Sequence, residues 1–337
     1  MRSALSPSPS SRGRRALFLR CFGWVLVGLF SLGLAACKRS TEIIVFHAAS
    51  LRHVLADAAV AFHRKHPTLT VRLEPSGSQV AVRKITELGL KCDLIVLADA
   101  ALIEKMMVPN HAAWSLDFAT NEIVLAHGQH SRYTDEITAA NWPEILQRPG
   151  VRLGRTNPDT APIGYRTLLA WQLAEKSGIY KSQGEDLTAR LTRLVPEKHI
   201  SVDESELLAF LESKSIEYAF IYRSTAEDHR LKFVELPAAM NLSSKEMADA
   251  YSKASVAIRM KQAENKSVIR GAPITYGLTI PRNAPHPQAS QLFVEFLLGP
   301  EGQALSKASG FKPLAPALTR QINELPEGLR RWSALAR

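Results

Sequence analysis

Cysteine is scarce, with three residues in a chain of 337, and their positions argue against a disulfide framework. Cys21 and Cys37 fall in an N-terminal segment, which leaves Cys92 without a thiol partner and without the companions that a thiolate metal site needs. Cys92 opens the apolar stretch Cys92–Ala98 and reads as a buried core thiol. Acidic residues are missing from the first 36 positions, which hold five arginines, Arg2, Arg12, Arg14, Arg15 and Arg20. Half of the formal surplus of ten positive charges therefore sits in that segment. No Lys/Arg block interleaved with aromatics follows it, so no nucleic-acid partner is expected. Long apolar runs are also lacking, since Cys21–Ala36 is short for a membrane span. Hydrolase signatures are absent too. There is no G-x-S-x-G elbow, no H-E-x-x-H, and no serine with a His and an Asp in recognisable positions. The ten histidines are scattered, and His47 reads as a structural residue.

The N-terminal segment has the order of a targeting signal, arginines followed by the apolar run. It ends in Leu34-Ala35-Ala36-Cys37, which resembles a bacterial lipoprotein signal, with residues 1–36 removed and Cys37 acylated. The expectation is a chain anchored to a bacterial membrane through lipidated Cys37, on the periplasmic side or at the cell surface. Arg14-Arg15 reads as an ordinary basic n-region.

From Glu42 onward short β-branched runs alternate with amphipathic helices, the pattern of an α/β fold. Strand Ile43–Phe46 leads to a helix over Leu51–Lys65, with Val54, Leu55, Ala58, Ala59 and Phe62 on one face. Strand Thr70–Leu73 leads to a helix over Gln79–Leu88, ended by Gly89. Strand Cys92–Ala98 precedes the helix Ala100–Met107. A second series begins with strand Glu122–Ala126. It continues through strand Val151–Gly154, helix Thr167–Ser177, a helix near Gln183–Leu194, helix Glu204–Ser213 and strand Glu217–Tyr222. A strand near Ser255–Met260 and the strand Ile274–Pro281 follow, then the helix Pro287–Leu298, with Leu292, Phe293, Phe296 and Leu297 facing a core. Residues 300–309 read as helical, and the tail Leu314–Arg337 carries no assignable pattern. Strands Glu122–Ala126 and Ile274–Pro281 flank the second series and are the natural crossings of a two-lobed molecule. The division places residues 41–121 plus 277–337 in lobe one and 122–276 in lobe two.

Three stretches have the form of a small-residue turn opening into a helix: Ala48-Ala49-Ser50, Ser76-Gly77-Ser78 and NPDTAPIGYR, Asn157 to Arg166. Pro162 suits a first helical turn, where its missing N–H costs nothing, and the amides of Ile163 and Gly164 then face outward. Such helix starts are anion seats. Three of them converging on one ligand suggest a binding protein for a small oxoanion.

The runs VFHAASL, PSGSQ, CDLIVLAD, NEIVLA, NPDTAPIGYR, ESELLAFLES, YAFIYRS and PITYGLTIP occur in the order found in the tungstate/molybdate-binding proteins of ABC importers. The resemblance covers most of residues 42–311 and is greatest to the branch described in archaea. It implies a type II periplasmic-binding fold, each lobe a mainly parallel sheet with helices on both faces, and two crossing strands as hinge. It implies a monomer that closes over one molybdate or tungstate and delivers it to a permease driven by an ATPase, with no cofactor. Carried over position by position, the ligand contacts would be Ala49, Ser50, Ser78, Ala161, Pro162, Ile163, Glu204 and Tyr222. Two positions depart from the archaeal pattern. Ala49 stands where glycine is usual, and Ala161 stands where the family has an aspartate before the proline.

Molybdate and tungstate near neutral pH are pure acceptors, so their cage must be made of donors. Helix-start amides and hydroxyls provide these without a basic side chain. Ser50 and Ser78 each offer a hydroxyl and an amide, or else are simply N-caps. Tyr222 can close the cage with its phenol, or be a core tyrosine with its hydroxyl in water. Glu204 faces a dianion and must be protonated or bind the metal itself. The resemblance implies the latter, with an aspartate and this glutamate as extra ligands to Mo or W. With Ala161 in place of the aspartate, the expected cage is mainly hydrogen-bonded and tetrahedral, with Glu204 at most a fifth ligand. Asp159 is not expected to substitute. The alternatives are a binding protein for another anion such as sulfate or a small organic acid, a membrane-anchored secreted hydrolase, or a lipoprotein that kept the fold and lost the ligand.

Overall fold

The computed structural model describes residues 40–181, 184–259 and 266–336. The signal segment with Cys37, the predicted helix start at Gln183, and Met260 lie outside the described residues.

Thr41–Ala48 is the organising strand of a seven-stranded sheet. It is flanked in parallel by Leu69–Ser76, in register Thr41 to Leu69, and by Leu94–Leu97. Helix Arg52–Lys65 crosses between the first two, and helix Ser78–Thr86 leads on to the third. The sheet continues through Thr275–Thr279, Leu116–Thr120, Lys312–Thr319 and Ser333–Leu335. A five-stranded sheet has the order Ile200–Ser201, Leu153–Thr156, Tyr218–Tyr222, Ile123–His127 and Lys232–Glu235. Strands Ser255–Arg259 and Lys266–Arg270 form a separate ribbon.

The α/β expectation holds, but the sheets are mixed rather than mainly parallel. Thr275–Thr279 runs antiparallel to both of its neighbours, and Ile123–His127 does the same in the second sheet. The cause is topological. The chain leaves the first sheet along Leu116–Thr120 and comes back along the adjacent Thr275–Thr279, and neighbouring outbound and inbound strands must point in opposite directions. Leu116–Thr120 was not expected, being five residues with little alternation. The tail is not idle either, because it supplies two strands of the first sheet. Its pattern is hidden by Pro313 and Pro316, which fall at a register shift between Pro313 and Leu318 where the ladder is interrupted anyway.

Apolar faces follow helical spacing. Helix Arg52–Lys65 buries Val54, Leu55, Ala58, Ala61 and Phe62, so Ala61 takes the place expected of Ala59. Phe62 packs edge-on against Phe293 of helix Pro287–Leu298 at 5.0 Å between ring centroids. Leu292, expected in that core, is 41 % exposed, and Val294 and Leu298 lie inside with Phe293 and Leu297. Under the second sheet, Trp142 and Trp171 pack edge-on against Phe220 at 5.1 and 5.9 Å. Cys92 is free and buried, and burial pushes its thiol up to about 12, as befits a core residue.

Between the outbound strand Leu116–Thr120 and Ile123–His127 stand Asn121 and Glu122. Asn121, 2 % exposed, donates to the Ser224 hydroxyl at 2.7 Å and accepts the Glu122 amide at 2.9 Å. Glu122 holds Arg223 at 3.0 Å and the Asn241 amide at 3.0 Å. This crossing is fixed by polar contacts, with Asn121 and Asn241 buried. Asn121→Ala leaves buried groups unpaired and is expected to lower the unfolding free energy by about 1–3 kcal/mol, read from the urea midpoint at unchanged slope.

Candidate functional site

Three helix starts, from segments of both sheets, converge on one cavity. The residue before each first turn is Ala48, Gly77 or Ala161, and none makes a side-chain cap hydrogen bond. Helices Ala100–Met106, Leu187–Leu194 and Glu204–Glu212 are instead capped by Asp99, Asp186 and Asp203. First-turn amides lack an i−4 acceptor within the helix, so at these starts they can serve an external one. The Gly164 amide, expected to face outward, is the exception, donating to the Ala161 carbonyl at 3.0 Å. Ser50 and Ser78 are therefore not N-caps. They lie inside the first turn, and so does the predicted turn segment Pro162–Arg166, with which the long helix begins.

One small cavity, of about 10 Å³, is lined by Ala49, Ser50, Ser78, Ala161, Pro162, Ile163, Glu204 and Tyr222 together, with Asp203 and the backbone of Gly77 at its wall. All eight positions picked from the sequence thus meet in one place. No Lys, Arg or His lines it. The space is near the ~10–15 Å³ that holds one water, so any larger guest, a tetrahedral oxoanion included, enters only if the walls part. His47 is fully buried, donates from Nδ1 to the Ala48 carbonyl at 2.8 Å, and is pushed down to about 4 by burial. It is a structural residue beneath the first seat.

The hydroxyls are oriented by their other contacts. Ser78 Oγ accepts the Ala98 amide at 3.1 Å, which leaves its own proton to donate. Ser50 Oγ pairs with the Tyr276 hydroxyl at 3.2 Å. Tyr222 Oη accepts from Arg166 Nη1 at 2.6 Å, and the same nitrogen donates to the Ala98 carbonyl at 2.6 Å. The Tyr222 hydroxyl is thereby neither wet nor idle, and its proton is the one directed elsewhere. Burial keeps it far from ionising, with the Arg166 charge pulling the other way.

Arg166 was not singled out from the sequence. It is 4 % exposed and lies 3.8 Å from the Asp99 carboxylate, which also accepts from the Tyr165 hydroxyl. The available signal was a charge four residues after Pro162 in a helix otherwise apolar to Ala174, because a buried arginine needs a dedicated partner. It carries positive charge to the back of the Tyr222 phenol without entering the cavity.

Glu204 is 3 % exposed. Its Oε1 accepts the Tyr222 amide at 3.0 Å, while Oε2 has no hydrogen-bond partner. Burial raises its carboxyl to about 8, against the pull of the Tyr222 amide. Asp159 is turned away, its carboxylate accepting the Arg259 amide at 2.8 Å and meeting Arg259 Nε at 3.2 Å. Ala161 therefore leaves that turn without a carboxylate at the cavity.

The two sides touch closely. Gln79 Nε2 donates to the Pro158 carbonyl at 3.1 Å, and a Cβ on Gly77 would lie 2.2 Å from the Thr160 carbonyl oxygen. Gly164 is required for a similar reason, since a Cβ there would meet the Asn157 carbonyl oxygen at 2.6 Å.

Residues 43–312 match the family model of bacterial extracellular solute-binding proteins. Among relatives, an uncharacterized solute-binding protein of Petrotoga mobilis is 39 % identical over 306 residues, 91 % of this chain and 94 % of the relative. The Molybdate/tungstate-binding protein WtpA of Thermococcus kodakarensis is 36 % identical over 288 residues, 79 % of this chain and 80 % of WtpA. Among solved structures, the periplasmic molybdate-binding protein of Azotobacter vinelandii aligns with TM-score 0.57 at 16 % identity, over 80 % of this chain and 98 % of the other. The sulfate-binding protein SubI of Mycobacterium tuberculosis aligns with TM-score 0.58 at 16 % identity, over 82 % and 88 %. Likeness at that identity establishes the two-lobed binding-protein fold and leaves the anion open.

Two outcomes are expected of the unliganded protein. Glu204 holds a proton in the folded state that the unfolded chain releases near 4.5, so its contribution to stability is complete below that pH, falls as pH rises, and levels off past about 8. The difference in unfolding free energy between wild type and Glu204→Gln should slope downward with pH across that window and be flat outside it. Gly77→Ala places a methyl against the Thr160 carbonyl and should hold the two lobes apart, seen as a larger radius of gyration in solution scattering with the melting temperature of the separate cores little changed.

Proposed function

We propose a function from the premise that this chain belongs to the family of bacterial extracellular solute-binding proteins: it captures one molybdate or tungstate between its lobes and hands it to an ABC permease and its ATPase. In this reading residues 41–121 plus 277–337 and residues 122–276 are the bodies that close on the anion, and acylated Cys37 holds the chain at the membrane, in the periplasm or at the cell surface. The sequence relatives that carry a named ligand support the choice of anion, WtpA of Thermococcus kodakarensis being one.

The observation that carries the reading is the single cavity in which uncapped helix starts from both sides meet the hydroxyls of Ser50, Ser78 and Tyr222, with no basic side chain lining it. Such a lining offers donors in several directions, as a tetrahedral dianion requires. Ala49, Ser50, Ser78 and Ile163 serve through amides, Ala161 and Pro162 set the turn, and Tyr222 donates its phenol proton. Glu204 in its neutral form donates as well. A monohydrogen phosphate needs an acceptor; the wall's Asp203 already accepts the Glu206 amide at 3.0 Å, so phosphate is disfavoured whenever Glu204 is protonated. Sulfate has the same charge and acceptors and is separated by size alone.

The test is thermal melting with molybdate, tungstate, sulfate and phosphate in turn. A ligand at about a thousand times its Kd stabilises by ~4 kcal/mol, and that gain is expected from molybdate and tungstate and not from the other two. The double variant Ser50→Ala, Ser78→Ala should lose it. A gain from sulfate equal to that from molybdate, or a double variant that responds like wild type, would overturn the reading.

A further inference from the structure

Beside the anion cavity, and sharing Ala49, Ser50 and Glu204 with it, lies a second pocket of about 130 Å³ that opens to solvent. Its outer wall brings together side chains from both halves of the molecule. His53 stands in the first turn of helix Arg52–Lys65, which packs on the seven-stranded sheet. Asp228 ends the helix Arg223–Asp228 that follows strand Tyr218–Tyr222 of the five-stranded sheet, and His229 comes next. One ligand atom from each of His53, Asp228 and His229 lies within 4.8 Å of the other two. Glu212, at the end of helix Glu204–Glu212, lies outside that group but reaches to 3.7 Å from His229 Nδ1. Its exposed side chain is free to swing in as a fourth ligand.

We propose that His53, Asp228 and His229, with Glu212 as fourth ligand, bind one divalent transition-metal ion, zinc by their chemistry, which joins the two lobes across the mouth of the cleft. Two imidazoles and two carboxylates are a nitrogen and oxygen set that zinc takes tetrahedrally. Around such an ion neighbouring ligand atoms stand about 3.3 Å apart at the usual bond lengths of ~2.0–2.1 Å. His53 Nδ1 and Asp228 Oδ2 are now 2.6 Å apart, joined by a hydrogen bond. The ion would take the place of that proton, and the two atoms need part by less than 1 Å. The imidazole rings are already side by side, 4.9 Å between centroids and tilted by 34°. Arg52 on the same wall opposes a cation, and the carboxylates of Asp228 and Glu212 outweigh it.

The position of the cluster gives the ion a consequence. His53 is on one side of the cleft and its three companions are on the other, so the ion binds the closed arrangement better than the open one. By linkage it must tighten whatever ligand closes the lobes, and that ligand must tighten the ion by the same factor. This coupling rests on the oxoanion-capture reading, whereas the binding of the ion itself does not.

The full chain is titrated with zinc chloride by calorimetry and with cobalt(II) as a spectroscopic probe, for the wild type, His53→Ala and His229→Ala. Circular dichroism melting checks that these substitutions at the rim leave the fold intact. One zinc per chain, a tetrahedral cobalt spectrum, and a loss of at least about tenfold in zinc affinity in each variant are expected. Molybdate release, followed by stopped flow, should slow in the presence of zinc and cease to do so in His53→Ala. Absence of zinc heat and cobalt spectrum, or an affinity untouched by His53→Ala, overturns the site. Zinc binding that depends on His53 and leaves molybdate release unchanged overturns the clasp alone, and a chain that binds zinc but no oxoanion refutes the capture reading without touching the metal site.

Discussion

Amides at the start of a helix have no partner within that helix, and everything at the centre of this molecule follows from leaving three sets of them uncapped. Aspartates close three other helix starts, at Asp99, Asp186 and Asp203, two of which lead helices beside the cavity or its back wall, while starts remote from it such as those at His286 and Gly299 are also without a side-chain cap. At Ala48, Gly77 and Ala161 there is no side-chain acceptor to do so. A buried N–H without an acceptor is costly, which makes such starts natural seats for an acceptor. Small residues are needed at these caps for two reasons at once. They do not compete for the amides, and at Gly77 the opposing Thr160 carbonyl leaves no room for a Cβ.

Charge is balanced in layers rather than by contact. The innermost layer is neutral donors, the amides with Ser50, Ser78 and the Tyr222 phenol. The next layer holds Arg166 against the back of that phenol, and beyond it Asp99 compensates the guanidinium. A guanidinium in direct contact would bind any anion of the right sign, whereas one placed behind a phenol polarises a donor whose direction is fixed. Glu204 belongs to the inner layer on the same logic. Burial keeps it largely neutral at ordinary pH, against the pull of the Tyr222 amide and the Thr225 hydroxyl. With Asp159 tied to Arg259 and alanine at position 161, no second carboxylate comes from the opposite turn.

The cavity and the rim are built from one short segment of chain. Helix Arg52–Lys65 follows the first seat without a break, so Ala49 and Ser50 stand by Glu204 while His53, three residues on, stands by Asp228 and His229.

The alternation of short strands and amphipathic helices and the small-residue turns were legible in the sequence, because each is a local property of composition and spacing. Family likeness supplied the eight positions that line the cavity, Glu204 and Tyr222 above all, together with the order of the motifs and the kind of guest. What the sequence could not show is long-range. The strand Leu116–Thr120 and the proline-broken tail find their place only by pairing with a sheet built from distant residues, and the antiparallel return of Thr275–Thr279 is set by how the chain re-enters the first lobe. Arg166 gains its partner at Ala98, 68 residues away, and Asp159 its partner at Arg259, 100 residues away. His53 and His229 are unremarkable until two helices from different sheets meet. Local physics wrote the seats, and only tertiary packing decided which charges stand behind them and which stand at the door, because burial and separation in space are properties of the whole fold.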